Sequence, residues 1–160
     1  MKVNSIVLLD EFLDDIDSHL ESVSAGAFID VNDSVNTFKN IQDRGKDMVS
    51  QKLCEFLDDK YDVSYNFVRR SPEDQDEPNF IHSDEMMGDL TCLLYLNENP
   101  PSNDGTTIYN EDESPSAVVS SKLNRMMIFK SKLKHSRNIF ENFGRGDESR
   151  QVQVIFLNNK

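Results

Sequence analysis

The 160-residue chain has no tryptophan, only two cysteines, three histidines and six glycines, and its 17 lysines and arginines are outnumbered by 29 acidic residues. Cys54 and Cys92 lie far apart with no Cys-x-x-Cys pairing, which argues against a disulfide framework and against a cysteine-ligated zinc site. A formal charge of -12 disfavours nonspecific binding to nucleic acid or anionic lipid, because both require a basic face that releases counterions. No apolar run approaches the roughly 20 residues that span a bilayer. The opening run Ile6-Val7-Leu8-Leu9 stops at Asp10 and Glu11, too soon for a signal peptide. The expectation is a cytoplasmic protein, of host cell or virus, with neither membrane nor nucleic acid as partner and with its oligomeric state unspecified.

Apolar residues make up 37% of the chain, enough to close one core, and the length suits a single domain over residues 1-160. Phe12, Leu13, Ile16, Leu20 and Val23 recur at three- and four-residue steps and predict a helix, with Asp14, Asp15, Asp17 and Glu21 around it. Val49, Leu53, Phe56 and Leu57 predict a second helix ending near Asp59. From Tyr61 the period becomes two: Tyr61, Val63, Tyr65 and Phe67 alternate with polar residues as in a half-buried strand. Further strands are expected at 80–82, 90–96, 106–109, 117–120, 125–129 and 152–157, after a short one at 6–9. The acidic, Pro-, Asn- and Ser-rich stretches 71–79, 97–105 and 111–116 read as surface loops. Helices first and many short strands afterwards indicate an α+β chain, with 1-60 mainly helical support and 61-160 a β core of sandwich or jelly-roll type.

The segment Phe80-Ile81-His82-Ser83-Asp84 sets an imidazole and a carboxylate two positions apart, so on a strand both leave by one face. Imidazole and carboxylate together suit iron, and a 2-His-1-carboxylate set leaves coordination positions open for oxygen chemistry. Such a triplet also arises by chance in a chain rich in acids, where it marks a solvated strand end. A third ligand must come from His19 or His135; His19 falls on the polar flank of the first predicted helix, which makes His135 the better candidate.

Downstream follow Leu93-Leu94-Tyr95-Leu96-Asn97, then Asp104-Gly105-Thr106-Thr107-Ile108-Tyr109, then His135, then Arg150-Gln151-Val152-Gln153-Val154. This order resembles the 2-oxoglutarate and Fe(II)-dependent dioxygenases, most closely the prolyl 4-hydroxylase branch, over nearly the whole chain. The resemblance implies a double-stranded β-helix core with N-terminal supporting helices. It implies that His82, Asp84 and His135 bind Fe(II), that Arg150 pairs with the distal carboxylate of 2-oxoglutarate, and that Tyr95 hydrogen-bonds the same carboxylate. The implied reaction is hydroxylation of a C–H bond, with a prolyl residue of a peptide or protein as leading substrate, a free amino acid or other small molecule beside it, and ascorbate as candidate reductant. Arg150 is in phase with Val152, Val154 and Phe156, and Tyr95 with Thr91 and Leu93, so each guanidinium or phenol follows its apolar neighbours if those faces line the barrel.

The chain departs from the family pattern in four places. Asp104-Gly105 stands for Gly-Gly, Arg137 stands where a hydrophobic residue often follows the distal histidine, the span from His135 to Arg150 is long, and the tryptophan near the end is missing. The long span makes Arg145, within Gly144-Arg145-Gly146-Asp147, a competitor for Arg150. Residue by residue, plainer roles stand beside these: His135 in a basic turn, Arg150 as a surface partner of Asp147 or Glu148, Tyr95 as core packing. Lys130, Lys132, Lys134 and Arg137 form a basic cluster that either draws an anionic co-substrate or is a solvated loop. Arg69 and Arg70 precede the acidic 71–79 stretch, where they either guide a substrate or hold that stretch as a lid. The alternative function is a jelly-roll binding or interaction module with a structural or lost metal site; a cupin-like metalloenzyme, usually richer in histidine, ranks third.

Overall fold

The computed structural model describes residues 5–32, 37–139 and 141–160. In chain order the described residues form β1 (Val7–Leu9), α1 (Ile16–Ala25), β2 (Ile29–Asn32), β3 (Thr37–Asp43), α2 (Met48–Phe56), β4 (Tyr61–Ser71), β5 (Leu90–Tyr95), β6 (Gly105–Tyr109), β7 (Pro115–Ser120), β8 (Met126–Lys130), β9 (His135–Arg137) and β10 (Arg150–Asn159). One antiparallel sheet has the order β1-β8-β5-β10-β4-β3-β2, and a smaller one the order β7-β6-β9. From β4 onward the chain passes between the two sheets: β4 in the large one, a bridge at His82 to the small one, β5 large, β6 and β7 small, β8 large, β9 small, β10 large.

Two apolar layers result. Phe12, Val23, Leu53, Leu57 and their helix neighbours pack with Val68, Leu90, Cys92, Leu94, Ile155 and Leu157 on one face of the large sheet. Tyr95, Met127, Phe129 and Val152 of its other face pack with Ile108 and Val119 of the small sheet. The alternation expected for the strand at 90–96 is thus used on both sides: Cys92 and Leu94 meet the helices, Tyr95 and Leu93 the opposite sheet.

Both helices start where an aspartate can cap them. Asp15 accepts from Ser18 N at 3.1 Å and Asp47 from Ser50 N at 3.0 Å, each satisfying one free N–H of a first turn. Capping by Asp15 corrects the expectation of a helix from Phe12. Phe12 and Leu13 are buried before the helix begins, in a bend that Asn124 fastens through its side chain to both the N–H and the carbonyl of Leu13 at 2.9 Å.

Four further differences separate the fold from those expectations. Besides the short strand expected at 6–9, seen as β1, the stretch expected as mainly helical support contributes β2 and β3; β2 is exposed along its length, so it shows no buried face in the sequence and owes its form to pairing with β3. The strand expected at 80–82 reduces to the single bridge at His82, and the turn expected at 130–137 contains β9. His19 is 4% exposed rather than on a polar flank, because the long central strand β10 presents Gln153 to it. Gln153, itself wholly buried, donates to Asp47 Oδ2 at 3.0 Å and Asn66 Oδ1 at 2.9 Å, so its oxygen accepts from His19 Nε2 at 2.8 Å. Cys54 and Cys92 are free thiols, and among the described residues no helix is long and apolar enough to cross a membrane.

Burial pushes the pKa of His19 down, helped by Arg44 and opposed by its bond to Gln153 and by Asp47. The folded protein therefore holds His19 neutral, and its contribution to stability is full above the ordinary histidine value of about 6.5 and is lost as pH falls below it. The loss is at most about 1.4 kcal/mol per pH unit. Urea denaturation at pH values of about 7.5 and 5.5 is expected to show a smaller acid-side loss for His19→Gln than for the unmodified chain; equal losses would remove His19 as the source.

Candidate metal centre

His82 and His135 are joined by a reciprocal pair of backbone bonds, His82 N–H to His135 O at 3.0 Å and His135 N–H to His82 O at 2.8 Å. That narrow antiparallel pairing sets the two side chains on one face, with ring centroids 4.4 Å apart. Asp84, two residues on, is held by its own N–H to Ser131 O at 2.8 Å. Its Oδ2 lies 2.9 Å from His135 Nε2 and its Oδ1 3.5 Å from His82 Nε2. One ligand atom from each of the three lies within 4.8 Å of the others, the one such cluster among the described residues.

Each imidazole is oriented by its other nitrogen. His82 Nδ1 donates to Phe80 O and His135 Nδ1 to Leu133 O, both at 2.9 Å. A carbonyl can only accept, so Nδ1 is the donor in each ring and Nε2 is the nitrogen turned toward the Asp84 carboxylate. Thr91 Oγ1, held by Ser131 Oγ at 2.9 Å, approaches Asp84 Oδ2 at 3.4 Å. The ring of Phe129 meets His135 edge-on at 4.9 Å, and Phe80 stacks near His82 at 5.1 Å. Two imidazole nitrogens and one carboxylate, half-buried, form a donor set suited to a divalent first-row metal such as iron.

Beyond His135 the interior becomes charged. Arg137 follows His135 on the same face of β9, opposite Thr106 of β6, and Thr106 Oγ1 lies 2.6 Å from the buried hydroxyl of Tyr95. Arg150 opens β10 in phase with Val152 and is 8% exposed; its Nε donates to Asp104 Oδ1 at 3.2 Å. Asp104 is buried and its Oδ2 has no partner among the described residues. Burial raises the Tyr95 phenol to about 12, against the bond to Thr106. Burial, then the neighbouring Arg150, lowers Arg137 to about 10.

Glu77, from the acidic stretch before His82, reaches into this corner. It accepts from Arg137 Nη1 at 3.2 Å and from Ser71 Oγ, and pairs with Arg69 at 3.4 Å, with its side chain only 6% exposed. Arg69 therefore holds the acidic stretch, whereas Arg70 stacks on Phe28 and pairs with Asp147. Arg145 projects outward and pairs with Glu73, leaving Arg150 as the buried arginine of the two. Of the basic cluster, Arg137 faces the interior, while Lys134 pairs with Glu111 and Glu113 outside.

Sequence reasoning named the three metal-site residues, Tyr95 and Arg150, and the structure gathers them at two ends of one interior. It missed Asp104 and Glu77 as partners. Asp104 carried a signal, an acid directly before a glycine that must stay one: Gly105 has φ +146°, and a Cβ there would lie 1.9 Å from Val119 O. Glu77 carried none, being one acid among many in its stretch.

No family model matches the chain, and no curated protein matches it in sequence. Solved structures do. A prolyl hydroxylase from Trichoplax adhaerens, in complex with a hypoxia inducible factor peptide fragment, superposes with TM-score 0.63 at 15% identity, covering 96% of this chain and 83% of that one. The viral collagen prolyl hydroxylase of Paramecium Bursaria Chlorella virus-1 gives 0.60 at 16% identity, covering 95% and 88%. The non-heme alpha ketoglutarate dependent epimerase SnoN from nogalamycin biosynthesis gives 0.63 at 13% identity, covering 94% and 76%. At these identities the likeness is one of fold, the fold shared by 2-oxoglutarate-Fe(II) oxygenases.

Replacing Glu77 by Gln leaves Arg69 and Arg137 without their shared carboxylate. The expected cost is roughly 3 kcal/mol, as for breaking a buried ion pair from one side. Limited proteolysis should then cut residues 72–79 faster than in the unmodified chain; an unchanged rate would mean that Glu77 does not anchor the stretch.

Proposed function

We propose that this chain is an Fe(II)- and 2-oxoglutarate-dependent dioxygenase that hydroxylates a C–H bond, built as a single unit over residues 1-160 around a double-stranded β-helix. The alternation of β4 to β10 between two facing sheets supports that topology. The observation that carries the function is the convergence of His82 Nε2, His135 Nε2 and the Asp84 carboxylate, with both imidazoles turned by backbone carbonyls. Those donors fit Fe(II): two neutral nitrogens, one carboxylate, and a partly open side. When bound, iron and 2-oxoglutarate supply the oxidising power, with O2 consumed, 2-oxoglutarate converted to succinate and CO2, and one oxygen atom delivered to the substrate.

The chain's own residues do the holding. His82, Asp84 and His135 are the ligands, and Thr91 and Ser131 steady the Asp84 carboxylate. Arg150 takes the distal carboxylate of 2-oxoglutarate through its planar fork, with Tyr95 beside it. Phe129, Met127 and Val152 make a dry wall between the two ends, which strengthens the charge pairing of the co-substrate.

Aromatic side chains lie near the candidate site. Tyr65 and Phe67 contact the Phe156 ring at 6.3 and 6.4 Å, Phe156 opposes Thr91 across the sheet, and the exposed Phe80 lies by His82. Such rings suit an uncharged, compact aliphatic ring, which supports a prolyl residue of a peptide or protein as substrate, with a small molecule as the other option. The structural neighbours span both kinds, a peptide in one and nogalamycin biosynthesis in another. The net charge of -12 and the absence of a crossing helix among the described residues agree with a cytoplasmic enzyme.

Anaerobic titration with Fe(II) and then 2-oxoglutarate is expected to produce the weak visible charge-transfer band of a chelated co-substrate. His135→Ala should lose the band, and Arg150→Ala should weaken 2-oxoglutarate binding by roughly 10- to 100-fold while iron binding persists. A chain that binds neither iron nor 2-oxoglutarate would be a jelly-roll binding module instead.

A further inference from the structure

The corner holding Arg150 contains more charge than one carboxylate-binding arginine requires. Arg137 enters it from β9, Arg150 from β10 and Arg69 from β4, and the negative groups among them are Glu77 and Asp104. Glu77 is shared by Arg69 and Arg137. Asp104 alone touches Arg150. Its side chain is fully buried, and its backbone is fixed from both sides, N–H to Pro101 O at 3.0 Å and carbonyl to Ser121 N at 2.9 Å. Its main chain is thus held in place directly before Gly105, whose positive φ and crowded Cα admit no side chain.

The contact is made at Nε. Among the described residues no protein group accepts from Arg150 Nη1 or Nη2, so the forked edge of the guanidinium is not used by the fold. The three arginines and two carboxylates together leave one positive charge, the complement of a single incoming carboxylate.

We infer that Asp104 is a positioning residue that grips Arg150 by Nε and turns its Nη1/Nη2 edge toward the distal carboxylate of 2-oxoglutarate. This rests on the dioxygenase reading. It also relates two of the four sequence departures: Arg137 and Asp104 enter the same corner, Arg137 paired with Glu77 and Asp104 aiming Arg150.

The test compares Asp104→Ala and Asp104→Asn with the unmodified chain in anaerobic Fe(II) titrations, using 2-oxoglutarate and, separately, pyruvate, a 2-oxoacid without the distal carboxylate. Asp104→Ala is expected to weaken 2-oxoglutarate by roughly 10- to 100-fold and to leave pyruvate and Fe(II) affinities within about twofold. Asp104→Asn, whose amide oxygen still accepts from Nε, should restore 2-oxoglutarate binding to within about threefold. Unchanged 2-oxoglutarate affinity in the Ala variant, or equal weakening of both ligands, overturns the inference while leaving the dioxygenase reading standing. Should the Ala variant fail to fold, a loss of more than about tenfold in the Asn variant overturns it equally. If the unmodified chain binds iron but neither 2-oxoacid, the dioxygenase reading itself fails and the inference falls with it.

Discussion

The two backbone bonds between His82 and His135 are the constraint on which the candidate site depends. They join the end of a long acidic stretch to a strand of three residues, and no other backbone pairing in the small sheet involves residue 82. Because β9 is also bonded to β6, the bridge ties a loop to a sheet whose position is already fixed. With the two backbones locked, each Nδ1 finds a carbonyl two residues earlier and the ring orientations follow. The ligand geometry is thus a backbone property first and a side-chain property second.

The other end of the interior rests on β10, which is buried on both faces for opposite reasons. Toward the helices it offers Gln153, whose amide satisfies His19, Asp47 and Asn66 together, linking α1, the cap of α2 and β4. Toward the small sheet it offers Arg150 and Val152. A one-residue slip in β10 would exchange these sets, burying a glutamine among apolar rings and turning the arginine to the helices. Ten residues of pairing with β4, interrupted once between Phe156 and Leu157, hold it against that slip.

Much of this was readable from sequence because it depends on short-range pattern. The His82–Asp84 spacing, the alternation of 90–96 and the phase of Arg150 with Val152 are local, and the strands and faces followed from them. What was not readable depends on distant partners. β9 has three residues, too few for a period, and β2 buries no face. His19 looked exposed because it fell on the polar flank of the predicted helix, between Ser18 and Leu20; Gln153, 134 residues away, makes its burial tolerable. Arg137 was read with a basic turn by composition, yet its strand phase with His135 directs it inward, and its charge partners come from 60 residues earlier. Asp104 and Arg137 each stood out as a departure, but their relation lies in the interior they share rather than in the sequence between them.

That interior also links the two halves of the proposed chemistry. The proposed metal ligands hang from the small sheet and its His82 bridge, whereas Arg150 belongs to the large sheet, so the distance between this histidine pair and the arginine is set by how the sheets face one another. Tyr95 and Thr106 form a buried hydroxyl pair between β5 of one sheet and β6 of the other, at 2.6 Å. The bond is short and excluded from water, so it resists sliding of the sheets more effectively than apolar packing, which has no preferred direction. Met127, Phe129, Ile108 and Val152 fill the same layer and keep water from competing for it. In the proposed chemistry, a co-substrate reaching from a metal on one sheet to the Arg150 guanidinium on the other would meet a gap whose width Tyr95 and Thr106 hold at mid-length, which would give Tyr95 a spacing role in the site.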